Sequence, residues 1–208
     1  MTGRRNVAIL LFDDVEVLDF AGPFEVFAIT GQREGEGIFR VYTVSAGGRP
    51  VRARNGLRVT PDFALGDCPA PEILVVPGGQ GTRKAMHDAA LTGWVREQSA
   101  RAGLTLSVCT GALLLAKAGL LEGLTATTHH GALELLRQSA PGATVRDDLR
   151  ICDNGSIVLS GGISAGIDMS LHVVARLLGR AQAEETARWM EYRWQPEPGF
   201  RYPQAPAA

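Results

Sequence analysis

Residues 104–116 read LTLSVCTGALLLA, a short apolar segment joined by a sharp turn to a run of helix-forming residues. The first part ends at Val108 and is typical of a β-strand; the second begins by Ala112 and continues until Gly119 can cap a helix. Cys109 stands at the junction. Strand, tight turn and helix in this order indicate a nucleophile elbow, and Gly111 has no side chain to obstruct the turn.

Cys109 is therefore a candidate nucleophile. At the junction its sulfur would lie beside the free amides of a helix N-terminus, whose partial positive charge favours the thiolate. The alternative is that Cys109 is a small buried apolar residue, as most free cysteines are. The elbow context favours the nucleophile.

The rest of the chain alternates apolar strand-like runs with helical patterns, which predicts a mainly parallel sheet covered by helices on both faces. Residues 6–12 form a continuous apolar run that we assign to a first, central strand. Further strands are expected at 39–45 and 72–76, and 51–60 reads as a hairpin turning on Asn-Gly. Helices are expected after Asp88, which suits an N-cap, in the elbow itself, at 132–137, after Gly161-Gly162, and at about 181–190.

Composition limits the classes of function. The chain has 208 residues, a formal net charge of -1 and no basic run, so the footprint of a nucleic-acid or membrane-surface partner is absent. Its three cysteines are an odd number without metal spacing, which is typical of a reducing cytoplasm. No apolar stretch reaches the ~20 residues of a membrane span. We expect one domain over 1–208, with a proline-rich tail at 196–208.

Candidate partners of Cys109 follow other strands. Asp19 lies between the first strand and a helix in which Pro23 suits the first turn, although Asp19 could simply cap that helix. Gly78 and Gly79 follow the strand at 72–76, and their amides could form an oxyanion hole, although glycine turns are common in α/β proteins. His129 could pair with the cysteine, or serve as hydrogen-bonded scaffold.

Three stretches, LDFAGPFEVF at 18–27, SVCTGALLLAKAGLL at 107–121 and SGGISAGIDMSL at 160–171, carry a resemblance to a known family. With them the chain resembles the ThiJ/PfpI superfamily of class I glutamine amidotransferase-like proteins, and within it the isonitrile hydratases. The likeness spans nearly the whole chain. It implies a flavodoxin-like three-layer sandwich and, commonly, a homodimer.

The resemblance also implies an activity. Isonitrile hydratases use an aspartate in Leu-Asp-x-x-Gly-Pro, a cysteine and the following threonine, which match Asp19, Cys109 and Thr110. The implied reaction adds water to a small isonitrile through a thioimidate and yields an N-substituted formamide, without a metal or organic cofactor. Substrate and oxyanion contacts are expected from the loop glycines, the residue after the elbow, His129 and the downstream motif, at Gly78, Gly79, Gly111, His129, Gly162 and Ile163.

Departures from related patterns help to separate the alternatives. Protease-like members typically place histidine directly after the cysteine, whereas this chain has Thr110, and glyoxalase-like members typically have glutamate where this chain has Asp19. His130 stands where tryptophan is common in hydratases, which could reshape the pocket. Asp168 is expected to be a structural charge near a helix start.

Two other functions stay open. One is a different thiol-dependent hydrolase or glyoxalase-like activity. The other is a ligand-sensing module, because the same domain forms the front half of AraC-type regulators. Those regulators carry a helix-turn-helix after it, and the tail at 196–208 lacks the basic helices that such a half needs.

Overall fold

A computed structural model describes residues 4–32, 35 and 37–196 of the chain. The strands in chain order are β1 Arg5–Leu11, β2 Phe39–Ser45, β3 Val51–Arg52, β4 Arg58–Val59, β5 Phe63–Ala64, β6 Ile73–Val76, β7 Leu104–Val108, β8 Thr125–Ala126, β9 Thr144–Val145, β10 Ile151–Asp153 and β11 Ile157–Ser160. The helices are α1 Val17–Ile29, α2 Thr82–Ala85, α3 Ala89–Arg101, α4 Gly111–Lys117, α5 Leu133–Ser139, α6 Ala165–Leu178 and α7 Arg180–Trp189.

Seven strands of the described chain form one sheet in the order β10-β11-β7-β6-β1-β2-β5. All neighbouring pairs are parallel except β10 with β11. The inner strands β6 and β7 are buried along their whole length, because helices cover both faces of a parallel sheet. The predicted mainly parallel α/β sandwich is therefore confirmed.

The helices divide into two groups by their contacts. Helices α1, α6 and α7 pack against one another, and α4 packs against α2, α3 and α5. The predicted Asp88 cap is confirmed, since its carboxylate accepts from the amides of Ala90 and Leu91 at 3.0 and 3.1 Å. Gly179, at φ 93°, ends α6. Because they are parallel, the strands of the sheet other than β10 have their carboxyl ends on the same side of the molecule.

Some expectations need correction. β1 lies between β6 and β2 inside the sheet, but β6 is the middle strand. Pro23 is in the interior of α1, which begins six residues earlier at Val17, so Pro23 does not mark the first turn.

The proline-rich tail predicted for 196–208 lies outside the described residues except for Pro196. Within the described part of the chain, no helix combines the length and apolar character needed to cross a membrane.

Candidate active site

Four strand ends converge on Cys109. The loop after β1 leads to Asp19, the loop after β6 contains Gly78 and Gly79, β7 ends directly at Cys109, and β11 leads to Ile163. Parallel strands place these carboxyl ends at the same edge, where open α/β sheets bind their ligands. The topology therefore brings together segments that are distant in sequence.

Cys109 adopts the strained geometry of the predicted elbow. Its φ is 56°, a left-handed conformation that non-glycine residues rarely adopt. The backbone holds it there, since its amide lies 3.2 Å from the carbonyl of Ser160 and 3.0 Å from that of Gly161. The hydroxyl of Thr128 donates to the Cys109 carbonyl at 2.7 Å. The sequence gives no signal for this role of Thr128, because its contact with Cys109 joins distant segments of the chain.

Gly111 is required by close packing behind the elbow. A Cβ at this position would collide with the carbonyl oxygen of Val76, so no larger residue fits without movement of β6. A glycine is therefore needed at position 111, as expected, but the reason is that a side chain there would collide with the neighbouring strand β6. Nothing in this contact places Gly111 against a substrate.

Asp19 lies in the first turn of α1 and its side chain is fully buried. One carboxylate oxygen, Oδ2, accepts from the amide of Gly78 at 3.0 Å. The other oxygen, Oδ1, makes no hydrogen bond of standard geometry with the described residues. Burial raises the pKa of Asp19 to about 7, although the Gly78 amide, the Cys109 thiol and the Ile163 amide lower it. Asp19 does not cap α1, whose N-cap is Glu16.

The Cys109 thiol does not have the low pKa that a helix N-terminus alone predicts. Burial raises its pKa to about 12, and the charge of Asp19 adds to this effect. The amides of Thr110 and Ile163 lower the pKa, but by less. The amides at the elbow therefore stabilise the thiolate in the expected direction, but burial and the charge of Asp19 outweigh them.

The backbone amides of Gly78 and Gly79 each donate a hydrogen bond to a side chain of the site. The Gly78 amide is bonded to Asp19, and the Gly79 amide donates to Thr110 Oγ1 at 2.9 Å. The Thr110 hydroxyl donates back to the Gly79 carbonyl at 3.0 Å. Since both amides are occupied, the expected oxyanion hole of Gly78 and Gly79 is not formed. Thr82, which the sequence analysis missed, lies 2.8 Å from the Gly79 carbonyl and 3.1 Å from Thr110 Oγ1 through its own hydroxyl.

The Gly162 and Ile163 segment forms the fourth side. Ile163 has φ 52° and its amide faces both Cys109 and Asp19, lowering both pKa values. The imidazole of His129 packs so close to Gly162 that a Cβ there would collide with it. His129 Nδ1 accepts from the amide of Gly131 at 3.1 Å, so the ring is anchored to its own loop. The titratable side chain that acts on the Cys109 thiol in the structure is Asp19, not His129.

Comparison with known proteins agrees with this architecture. The model of the DJ-1/PfpI family matches residues 5–176. This chain belongs to the DJ-1/PfpI family.

Relatives within the DJ-1/PfpI family include both enzymes and regulators. Isonitrile hydratase of Pseudomonas putida is 36% identical over 94% of this chain and 81% of its own length. The HTH-type transcriptional regulator GbdR of Pseudomonas aeruginosa is 32% identical over 85% of this chain, which spans 47% of the regulator. Among solved structures, a THiJ/PfpI family protein from Pseudomonas syringae has a TM-score of 0.82 at 31% identity, covering 93% of this chain and 77% of that one.

Drosophila melanogaster DJ-1beta shows the same fold at greater distance. Its structure superposes with a TM-score of 0.78 at 21% identity, covering 92% of this chain and 100% of the other. The recognised family and the flavodoxin-like α/β fold are thus confirmed.

Asp168 is structural in this DJ-1/PfpI domain, as expected. Its carboxylate pairs with Arg150 at 2.5 Å and accepts from the Tyr192 hydroxyl at 3.0 Å. Arg150 also reaches Ser164 Oγ at 3.3 Å, which ties the start of α6 to the loop before β10. Asp168 itself has no contact with Cys109 in this network.

Metal-binding chemistry has no candidate cluster in the described residues. No group of three or more His, Cys, Asp or Glu side chains there could hold a metal ion. Cys68, Cys109 and Cys152 are all free thiols.

Proposed function

We propose that the protein is a cysteine-dependent hydratase that adds water to small isonitriles and releases N-substituted formamides. The observation that carries the proposal is the buried Asp19 carboxyl, with a pKa of about 7, beside the Cys109 thiol. A group with this pKa can both accept and return a proton near neutral pH. Similarity to the Pseudomonas putida isonitrile hydratase supports this choice of substrate.

In the first step, Cys109 Sγ attacks the terminal carbon of the isonitrile. Asp19 takes the thiol proton as the carbon–sulfur bond forms, then delivers it to the same carbon, whose electron pair becomes a C–H bond. The nitrogen–carbon triple bond becomes a double bond. The product of this step is a thioimidate on Cys109, and no proton is lost or gained overall.

In the second step, Asp19 acts as the base toward water. The water oxygen attacks the thioimidate carbon while Asp19 accepts one water proton and delivers it to the imidate nitrogen as the double bond opens. The remaining hydroxyl proton passes through Asp19 to the Cys109 sulfur as the carbon–sulfur bond breaks and the formamide carbonyl forms. Cys109 recovers its proton, so water is the sole co-substrate.

The polar groups around the sulfur support developing charge in this scheme. The amides of Thr110 and Ile163 already favour negative charge on Cys109. Two hydrogen bonds to Gly79 fix the Thr110 hydroxyl: it accepts from the Gly79 amide and donates to the Gly79 carbonyl. A substrate that competes for its proton would be oriented by it.

A product assay tests the proposal. Purified protein incubated with a small neutral isonitrile should yield the matching formamide, measured by mass spectrometry. Cys109→Ala should abolish turnover, whereas the matched control Cys68→Ala should retain it, because Cys68 follows β5, four strands away from β7 in the sheet. Full activity in Cys109→Ala would refute the cysteine mechanism.

A ligand-sensing role is the second candidate, favoured by the 32% identity to the regulator GbdR. In this role the site around Cys109 and Asp19 binds a small molecule and leaves it chemically unchanged. Isonitrile binding without formamide formation, detected by calorimetry, would favour sensing over hydration.

A further inference from the structure

Charged side chains lie beside the candidate active site, and the proposed mechanism does not use them. Glu16 directly precedes α1, Arg54 lies in the turn between β3 and β4, and Arg83 lies in α2. His129 follows β8. We call these four residues the rim.

Arg54 and Glu16 are joined across two loops. The Arg54 amide donates to the carbonyl of Val15 at 2.9 Å, and its guanidinium Nη1 lies 3.6 Å from Glu16 Oε2. The Glu16 amide in turn donates to the carbonyl of Gly78 at 2.9 Å, the residue whose own amide holds Asp19. The turn between β3 and β4 is therefore connected through Glu16 to Gly78, which contacts Asp19.

Arg83 contacts the same Gly78–Gly79 segment through a separate hydrogen bond. Its Nη1 donates to the Gly79 carbonyl at 3.4 Å, and that carbonyl also accepts from the Thr110 hydroxyl at 3.0 Å. The guanidinium is thus two hydrogen bonds from the residue that follows Cys109. Among the described side chains, no carboxylate forms an ion pair with Arg83.

The charges of the rim act at one place. Burial and His130 lower the pKa of His129, and Arg83 and Arg54 lower it further, while Glu16 opposes them. The His129 ring itself contacts Gly162, next to the Ile163 amide that faces Cys109. Two guanidinium groups and one carboxylate therefore act on the His129 ring, and among these three rim side chains positive charge exceeds negative charge by one.

We propose that the substrate carries a carboxylate, which Arg83 binds with support from Arg54 while the reactive carbon lies at Cys109. The proposal rests on the proposed hydratase function and narrows its substrate class. A guanidinium presents parallel donors that match both oxygens of a carboxylate. One bound carboxylate would also cancel the excess charge of the rim.

Alkylation of Cys109 tests this independently of hydratase activity. Iodoacetate and iodoacetamide differ by one negative charge at nearly equal size, so the ratio of their rates at Cys109 reports the local field. Peptide mass mapping gives the rates. Arg83→Gln should lower the iodoacetate-to-iodoacetamide ratio by about three- to tenfold, and Arg83→Lys by less, because lysine keeps the charge without the paired donors.

The matched control is Arg101→Gln. Arg101 ends α3 at the amino end of β7, whereas Cys109 follows its carboxyl end, so this exposed charge is on the other edge of the sheet. It should leave the ratio unchanged. Arg54→Gln should lower the ratio less than Arg83→Gln, since Glu16 partly neutralises Arg54. An alkylation ratio in Arg83→Gln equal to that of the natural protein would overturn the proposal.

Hydration of isocyanoacetate and of its methyl ester separates the two proposals. The kcat/KM for the carboxylate relative to the ester should fall by about three- to tenfold in Arg83→Gln and with added salt. If both compounds are hydrated with a ratio that Arg83→Gln does not change, the carboxylate inference fails and the hydratase function stands. If neither is hydrated, the hydratase function fails, and the alkylation ratio still decides whether the rim favours an anion.

Discussion

The buried carboxyl of Asp19 lies beside the thiol of Cys109, and the two groups control each other's protonation. Burial, and after it the charge of Asp19, raises the pKa of Cys109 to about 12. Burial raises the pKa of Asp19 to about 7, while the thiol lowers it. Interacting groups titrate as a pair, so between these two values the pair holds one proton.

The pH dependence of turnover should follow this pair. The mechanism needs the carboxylate of Asp19 and the thiol of Cys109, a state that forms as pH rises through about 7. The kcat/KM for a neutral isonitrile should therefore rise about tenfold per pH unit below this value and then level off. Initial rates between roughly pH 5 and pH 9 measure it. A flat profile, or a midpoint near the ordinary value of Asp, would contradict the assignment.

Asp19→Asn should lose most activity but gain stability at neutral pH. Because the pKa of Asp19 is raised from 3.8 to about 7, the folded protein binds more protons than the unfolded chain between these values. Its free energy of unfolding therefore falls as pH rises through this window and is constant above it. The amide has no such loss, so its advantage should grow to the order of 4 kcal/mol at pH 8 and vanish near pH 4.

Urea unfolding at several pH values provides the measurement for Asp19→Asn. Glu25→Gln is the matched control, an exposed acid on the same helix, and its difference from the natural protein should not follow this curve. A stability difference for Asp19→Asn that is independent of pH would show that the carboxyl is not buried as described.

Thr82 should affect turnover through Thr110. The Thr82 hydroxyl lies 2.8 Å from the Gly79 carbonyl, so it can satisfy that acceptor and leave the Thr110 proton for the substrate. Thr82→Val should lower kcat by about three- to tenfold, corresponding to one hydrogen bond, and Thr82→Ser should restore it. In a Thr110→Val background the same change should cost almost nothing. Additive losses in this double-mutant cycle would mean that Thr82 acts only on the fold.

Two glycine-to-alanine changes should act in opposite directions. Gly111→Ala would drive a methyl group into the Val76 carbonyl, and we expect a loss of about 1–3 kcal/mol in the free energy of unfolding. Gly93, within α3, has open space around its Cβ position, so Gly93→Ala should gain about 0.5–1 kcal/mol. Thermal melts of both proteins check the pair. Equal stabilities would contradict the packing of the elbow against β6.

The features that local chemistry controls were predictable from the sequence. The elbow at Cys109, the Asp88 cap and the end of α6 at Gly179 each depend on a few neighbouring residues. The apolar runs that form most of β1 and all of β6 also predict the parallel sheet, because burial on both faces leaves no polar alternation. Placing Asp19 at the same sheet edge follows from this topology.

What tertiary structure alone decided is the chemical state of the site. Proximity to a helix N-terminus predicts a low pKa for Cys109, yet burial and the carboxylate of Asp19 raise it. The amides of Gly78 and Gly79 look free in sequence, but long-range contacts give them to Asp19 and Thr110. Residue types and their order determined which chemical groups this protein can use. Desolvation and contacts between distant segments decided whether each of these groups holds a proton. Desolvation and such contacts depend on the folded surroundings and not on neighbours in the chain.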